Sequence, residues 1–316
     1  MNNSLAQTDG KTPATRRALR AGERLLVATS SSGLGNRLLL LAGAQRVAAQ
    51  TGQRLLLHWP VNDQLGCAFE DLFTNQLDRF EPGDLDFLLR TDRTVKVYNT
   101  WRHSGPLYTD MARDGDPDAE IVILKGWIAA RFAGEQRTVE LDEEIGRHLR
   151  TLTPRAEFLD AARAWPLPAR TVGVHVRRGD PERESIEEYG RATDEHFLRL
   201  MDAVLAAEPE THFFLATDHP PTEAGWRQRF GTRLLCREKN SLRRDRGGMG
   251  EALVDCLILG RTAAVIGTHF STFSEIAARL GGTPLVLAGP RTAVKDPGEI
   301  VEPVVRALRA RASGNS

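Results

Sequence analysis

The sequence predicts an α/β protein in two halves, each a parallel sheet flanked by helices. Three observations carry this expectation. Short aliphatic runs alternate with helical patterns, the signature of β-α-β units. The alternation occurs on both sides of a proline-rich joint, Trp165-Pro166-Leu167-Pro168. Several of the runs end in loops rich in Gly, Ser, Thr and charge, where open α/β sheets receive ligands. Together they predict two Rossmann-like domains with a cleft between them. The expected division is an N-terminal arm over 1–22, a first domain over 23–165 and a second over 166–316.

Arg24–Thr29 (RLLVAT) reads as a short buried strand, and Ser30–Gly35 as a Ser/Gly loop. Asn36–Gln50 reads as a helix closed by Gly52, and Gln53–His58 as the next strand, which completes a β-α-β unit. Residues 60–120 are less regular, with strand candidates at Val95–Asn99 and Ile121–Leu124. In the second half Arg170–Val176 is a strand. Asp194–Glu208 is a helix, with Phe197, Leu198, Met201, Val204 and Leu205 at helical spacing. His212–Ala216, Ala263–Gly267 and Pro284–Ala288 are strands. Gly250–Leu259, Ser274–Leu280 and Pro297–Ala312 are helices, the last closing the chain and able to cross back to the first domain.

Composition narrows the class. The chain has 316 residues, with 42 Lys and Arg balanced by 42 Asp and Glu. Zero net charge argues against binding driven by attraction to nucleic acid or a membrane surface. A hydrophobic share of 41% is enough for a real core. Cys67, Cys236 and Cys256 are too few and too scattered for a disulfide framework or a structural zinc site. The longest aliphatic run, Leu38–Ala42, is far short of the ~18 residues of a membrane span. The N-terminal arm has no apolar run of signal-peptide type, so the expected compartment is the cytoplasm.

Four strand-end loops carry the chemistry. The first holds Gly33, Leu34, Gly35, Asn36 and Arg37. Its glycines permit close backbone approach, and the helix that follows offers free N–H groups to an anion. It fits neither the dinucleotide nor the Walker pattern, and a plain turn with an Asn cap is the alternative. The second is His175-Val176-Arg177-Arg178-Gly179-Asp180. On a strand His175 and Arg177 share one face and Arg178 lies on the other. Paired guanidinium groups make a phosphate clamp, and a solvated pair bridged to Asp180 and Glu182 is the alternative. The third, Ala216-Thr217-Asp218, places a carboxylate at a strand end, where an Asx turn before Pro220 would look the same. The fourth, Gly267–Glu275, brings Ser271, Thr272 and Phe273 to a helix start, where hydroxyls can cap or bind.

These motifs, in this order, resemble the fucosyltransferase superfamily. The matching segments are Gly33–Asn36, His175–Asp180, Ala216–Asp218 and Ser271–Ser274. Ile186–Tyr189 followed by Glu195-His196-Phe197 is similar to the α-1,6-fucosyltransferase branch. The resemblance covers about 170–282 and, in the first half, mainly the Gly-rich loop. It implies a GT-B fold with GDP-fucose or a similar GDP-sugar held by the second domain. It implies His175 at the guanine or its ribose, Arg177 at the β-phosphate and Arg178 beside it or facing the sugar. It implies Asp255 on the guanine, Ser271 and Thr272 at the phosphates with Phe273 beside them, and Asn36 facing the sugar. Gly33, Gly35, Arg37 and Asp180 belong to the same binding loops. Asp218 would orient the arginines.

The resemblance further implies a metal-independent transfer in which Arg177 and Arg178 stabilise the departing GDP. Neither Asp84-Leu85-Asp86 nor Asp114–Asp118 is expected to hold a metal. Glu184, rather than Glu182, is the expected base for the acceptor hydroxyl. Trp59, Trp101, Trp127 and Trp226 are expected as core or cleft wall, with Trp59 able to face the acceptor. Arg233–Arg246 reads as a solvated loop or as a lid hinged at Gly247-Gly248. Partners are thus a GDP-sugar and an acceptor of unknown class. With no acceptor-recognition appendage, a GDP-sugar pyranose–furanose mutase is the alternative, for which a divalent cation such as Mg²⁺ or Mn²⁺ could serve. A non-catalytic GDP-sugar-binding protein is the third reading.

Overall fold

The computed structural model describes residues 22–80, 92–99, 108–178, 192–238 and 245–314. Two five-stranded sheets organise them. The first contains β1 (Leu25–Thr29), β2 (Arg54–His58), β3 (Arg79–Phe80), β4 (Val95–Asn99) and β5 (Ile121–Lys125), in the order β3-β2-β1-β5-β4. The second contains β6 (Thr171–Val176), β7 (His212–Thr217), β8 (Leu234–Leu235), β9 (Val265–Thr268) and β10 (Leu285–Ala288), in the order β10-β9-β6-β7-β8. Every pairing between these strands is parallel.

Parallel strands need helices on both faces, so their sequences are apolar throughout rather than alternating. β1 (LLVAT) and β6 (TVGVHV) are buried at every position. Both are central strands from which the chain winds first to one side and then to the other. Each sheet therefore has a topological switch point at its first strand, where the neighbouring connections diverge and leave a crevice. Register makes the crevices level: Thr29 pairs with His58 and with Lys125, and His175 pairs with Ala216 and with Gly267.

The helices are α1 (Leu34–Thr51), α2 (Phe69–Leu72), α3 (Val139–Arg150), α4 (Ala156–Ala164) and α5 (Asp194–Ala207), then α6 (Pro220–Phe230), α7 (Arg246–Arg261), α8 (Thr272–Gly281), α9 (Pro290–Ala293) and α10 (Pro297–Ala312). α1 is apolar nearly all round from Leu38 to Ala44 and is buried accordingly. Gly52, at φ 69°, ends it in the left-handed conformation that glycine adopts without strain. Thr138 caps α3 by accepting from the Leu141 N–H. α3, α4 and α6 are helices that the sequence reading did not single out. α10 packs on α5 and on β10 and β6 of its own half.

One hydrophobic cluster runs through both halves. It joins Leu38 and Leu41 of α1 and Val122 of β5 to Leu253 and Leu259 of α7, Ile276 of α8 and Phe214 of β7. α7 and α8 cross so closely that a Cβ on Gly281 would collide with the Gly260 carbonyl. Polar contacts also span the halves: Arg137 to Glu275 at 2.8 Å, and Arg279 to Asp142 at 2.7 Å. Among the described residues no helix is long and apolar enough to cross a membrane.

Candidate functional site

The site is assembled where the two switch points meet. At the end of β6 the buried His175 ring lies against Phe273 of α8, with centroids 4.8 Å apart. Thr268, at the end of β9, stitches the crevice. Its hydroxyl donates to the His175 carbonyl at 3.0 Å and accepts from the Arg177 N–H at 2.8 Å. Arg177 is thereby fixed as the first residue beyond the sheet, and its side chain is only 9% exposed.

The Arg177 guanidinium is ion-paired to Asp218, which also accepts from the Arg178 N–H at 2.9 Å. Burial would raise the Asp218 carboxyl. The Arg177 charge and hydrogen bond, the Arg178 N–H and His175 outweigh it and hold the carboxyl below its ordinary value. Asp218 is therefore ionised at neutral pH and orients Arg177 by charge. An arginine so preorganised can meet a diphosphate without first paying to be ordered.

Alternation along the chain sends Arg178 the other way. Its guanidinium is bound to the Ala192 carbonyl and to Asp194 and lies over the Phe197 ring, 5.9 Å from its centroid. Asp194 also accepts from the Trp226 indole at 3.2 Å. Arg178 thus ties the start of α5 to the sheet, and the structure does not bring its guanidinium beside that of Arg177. The expected pair is one arginine at the crevice and one behind it.

Two helix starts converge on the same crevice. A Cβ on Gly35 would lie 2.7 Å from the Thr272 hydroxyl and 3.0 Å from the Phe273 nitrogen, so only glycine lets α1 and α8 approach this closely. The Thr272 hydroxyl donates to the Asn36 side-chain oxygen at 2.6 Å. Neither Gly33 nor Ser271, the residues that precede these helices, makes a side-chain cap. Glu275, in the first turn of α8, is matched by Arg137 and Arg279. The dipoles of both helices therefore favour an anion here. Between β9 and Ser271 the chain turns through Phe270, at φ 67° and 57% exposed, a conformation unusual for an aromatic residue.

Other expected residues are held by partners of their own. Arg37 is buried among loop oxygens rather than open to the crevice. It is 2% exposed and donates to the Ser32 and Pro60 carbonyls at 2.5 and 2.6 Å and to Asn62 at 3.0 Å. Burial lowers its pKa to about 10, which still leaves it charged at neutral pH. Trp59 does not face an acceptor: it is buried, stacked under Arg37 at 5.0 Å, and donates to the Cys67 carbonyl. Asp255 is buried on α7 and paired with Arg237 at 2.8 Å. Gly247-Gly248 is no hinge, because both residues lie in the first turn of α7, where Asp245 caps Gly248 at 2.7 Å. Asp116 is engaged by Lys96 and Tyr98. Asp180, Glu182, Glu184, Trp101 and Asp84–Asp86 lie outside the described residues.

Thr268 and Arg237 were missed. Thr268 sits in a segment already singled out for its hydroxyls, but its partner strand is not legible from local pattern. Arg237 reads as one cation in a basic run, and its pairing with Asp255 exists only in three dimensions.

No protein-family model matches the sequence, and no curated protein matches it by sequence. Solved structures do match. NodZ α-1,6-fucosyltransferase soaked with GDP-fucose aligns with TM-score 0.57 and 18% identity, over 82% of this chain and 93% of that one; the NodZ protein comes from Bradyrhizobium. A mutant of Arabidopsis thaliana FUT1 in complex with GDP aligns with TM-score 0.57 and 17% identity, over 90% of this chain and 75% of that one. The apo form of POFUT1 aligns with TM-score 0.54 and 13% identity, over 86% of this chain and 99% of that one. At these identities the likeness speaks to architecture: the two parallel sheets of this chain form the GT-B-like α/β fold of the fucosyltransferase structures.

Proposed function

We propose that the chain is a glycosyltransferase that uses a GDP-sugar, with GDP-fucose or a similar hexose as donor. The observation that carries this reading is the Arg177–Asp218 pair set beside two converging helix starts at the switch points of both sheets. Cleavage of the sugar–phosphate bond loads negative charge onto the departing diphosphate. Arg177 and the N–H groups at Thr272–Phe273 and Gly35–Asn36 stabilise that charge from positions the fold already holds. Asn36 and Thr272 exchange their mutual hydrogen bond for bonds to the donor. His175, backed by Phe273, bounds the nucleoside side. Asp255, which accepts hydrogen bonds, is assigned the N1–H and 2-amino group of guanine. Glu184 is assigned the acceptor proton. Arg178 holds the β6 end in place without touching the donor. The aligned structures include one soaked with GDP-fucose and one in complex with GDP, which supports the choice of guanine.

The test is calorimetric titration of wild type, Arg177→Ala and Asp255→Asn with GDP, UDP and ADP. GDP is expected to bind tenfold or more tighter than the other two. Asp255→Asn is expected to erase that preference, and Arg177→Ala to weaken all three nucleotides. Equal affinity of the wild type for the three would overturn the guanine assignment. Incubation with GDP-fucose alone then separates transfer from rearrangement: a new isomeric GDP-sugar would favour the mutase.

A further inference from the structure

The acceptor side of the crevice has a chemistry of its own. Among the described residues, the large apolar side chains left exposed are Val61, Trp127, Ile128, Val139, Phe270 and Val294. Four of these six sit within three residues of the carboxyl end of β2, β5 or β9, the edge of the sheets that bears the candidate site.

Hydrogen bonds fix where three of them lie. Val61 is held between Pro60, whose carbonyl accepts from Arg37, and Asn62, whose amide donates to the Ser31 carbonyl at 2.8 Å. Trp127 follows Gly126, whose N–H donates to the Thr29 carbonyl at 3.2 Å. Val61 and the Trp127-Ile128 pair therefore flank the Ser30–Ser32 loop from its two sides. That loop leads directly into Gly35 and Asn36. Phe270 belongs to the facing loop, two residues before the Thr272 that bonds Asn36.

The direction of the reaction gives this rim a role. If the diphosphate leaves toward Arg177 in the second half, the attacking hydroxyl must approach from the first half. Whatever carries that hydroxyl crosses the edge formed by Val61, Ser31, Trp127 and Ile128. Aliphatic and indole surface offers no hydrogen bonds along its faces, and leaving it in water is costly unless something covers it.

We propose that Val61, Trp127 and Ile128 form an acceptor subsite for an apolar group, alkyl or aryl, attached next to the reacting hydroxyl, with Phe270 closing it from the opposite side. This rests on the glycosyltransferase reading for its orientation. The positive φ of Phe270 fits the same role, since strain of this kind is retained where a side chain must be presented.

The test uses methyl, butyl and hexyl β-D-glucoside as probes, each below its micellar concentration, titrated by calorimetry into the full chain saturated with GDP. Each buried CH2 contributes roughly fourfold in affinity at full burial. The expected result is at least a tenfold gain from methyl to hexyl in the wild type. The double variant Trp127→Ala, Ile128→Ser is expected to bind all three probes alike. Trp127 is 37% and Ile128 41% exposed, and a thermal melt checks that the variant folds. A flat series in the wild type, or a slope that survives in the double variant, overturns the proposal. Cellotriose binding as tightly as hexyl glucoside overturns it too, by assigning the Trp127 face to a sugar ring. GDP affinity is measured in the same samples. If GDP fails to bind while the chain-length slope and its loss persist, the donor reading fails and the apolar subsite stands.

Discussion

Arg177 and Asp218 act as one unit. Arg177→Ala is expected to lower turnover of GDP-sugar by two to three orders of magnitude, the loss typical for a preorganised donor to a developing anion. Arg177→Lys should recover little, because an ammonium cannot grip Asp218 and a phosphate with a planar fork. Asp218→Asn should cost about 1–3 kcal/mol at neutral pH, read by denaturant unfolding. Folding depresses the Asp218 pKa, so its contribution is complete above the unfolded value of about 4 and is lost as pH falls through the folded value. The stability gap between wild type and Asp218→Asn should therefore close on acidification below about 4; a gap that persists there would assign the effect to packing. Arg37 makes a different case. Its three acceptors are loop oxygens, so both Arg37→Ala and Arg37→Lys should lower the melting temperature, the first by about 2–4 kcal/mol of stability.

Glycines set how the elements meet. Gly35→Ala places a methyl 2.7 Å from the Thr272 hydroxyl and 3.0 Å from backbone, so α1 or α8 must shift. The expected cost is about 1–3 kcal/mol, together with weaker GDP binding, since the shift moves the two helix starts apart. Gly281→Ala meets the Gly260 carbonyl instead, at the α7–α8 crossing away from the crevice. It should destabilise at least as much while the surviving folded protein keeps its GDP affinity. Parallel unfolding and GDP titrations on the two variants check this; identical effects on binding would remove the special place given to Gly35.

At the scale of the whole molecule the halves are not independent. The cluster that joins α1 and β5 to α7, α8 and β7 means that neither sheet can unfold without exposing the core of the other. Scanning calorimetry is expected to show a single transition, with the calorimetric and van't Hoff enthalpies in agreement. Two resolved transitions would show that the shared core contributes less than the cores within each half. The ion pairs across the halves, Arg137–Glu275 and Arg279–Asp142, are partly exposed and add little by comparison.

Much of this was legible in the chain. Buried parallel strands are continuous apolar runs, and the helices that follow them have capped or glycine-marked ends. The strands at Val95–Asn99 and Thr171–Val176 and the closing helix Pro297–Ala312 could thus be read within a residue. α6 shows no apolar period along its sequence, whereas α3 carries Leu141, Ile145 and Leu149 at helical spacing and was legible but not singled out. The four loops were found because strand ends in such sheets gather Gly, Ser, Thr and charge. Their side chains were sorted only in part. Alternation put Arg177 and Arg178 on opposite faces, but which face meets the crevice depends on where β9 and α8 pack. Arg37 and Trp59 carry site-like chemistry in sequence, and their burial against Pro60 and Cys67, like the pairing of Asp255 with Arg237, is not shown by local pattern. Local periodicity and turn chemistry act within a few residues, and they determined the elements and the candidate loops. The meeting of α1 with α8, the pairing of Arg177 with Asp218 and the apolar rim at Trp127 join residues 41 to 237 positions apart or separate strands, and only tertiary packing could decide them.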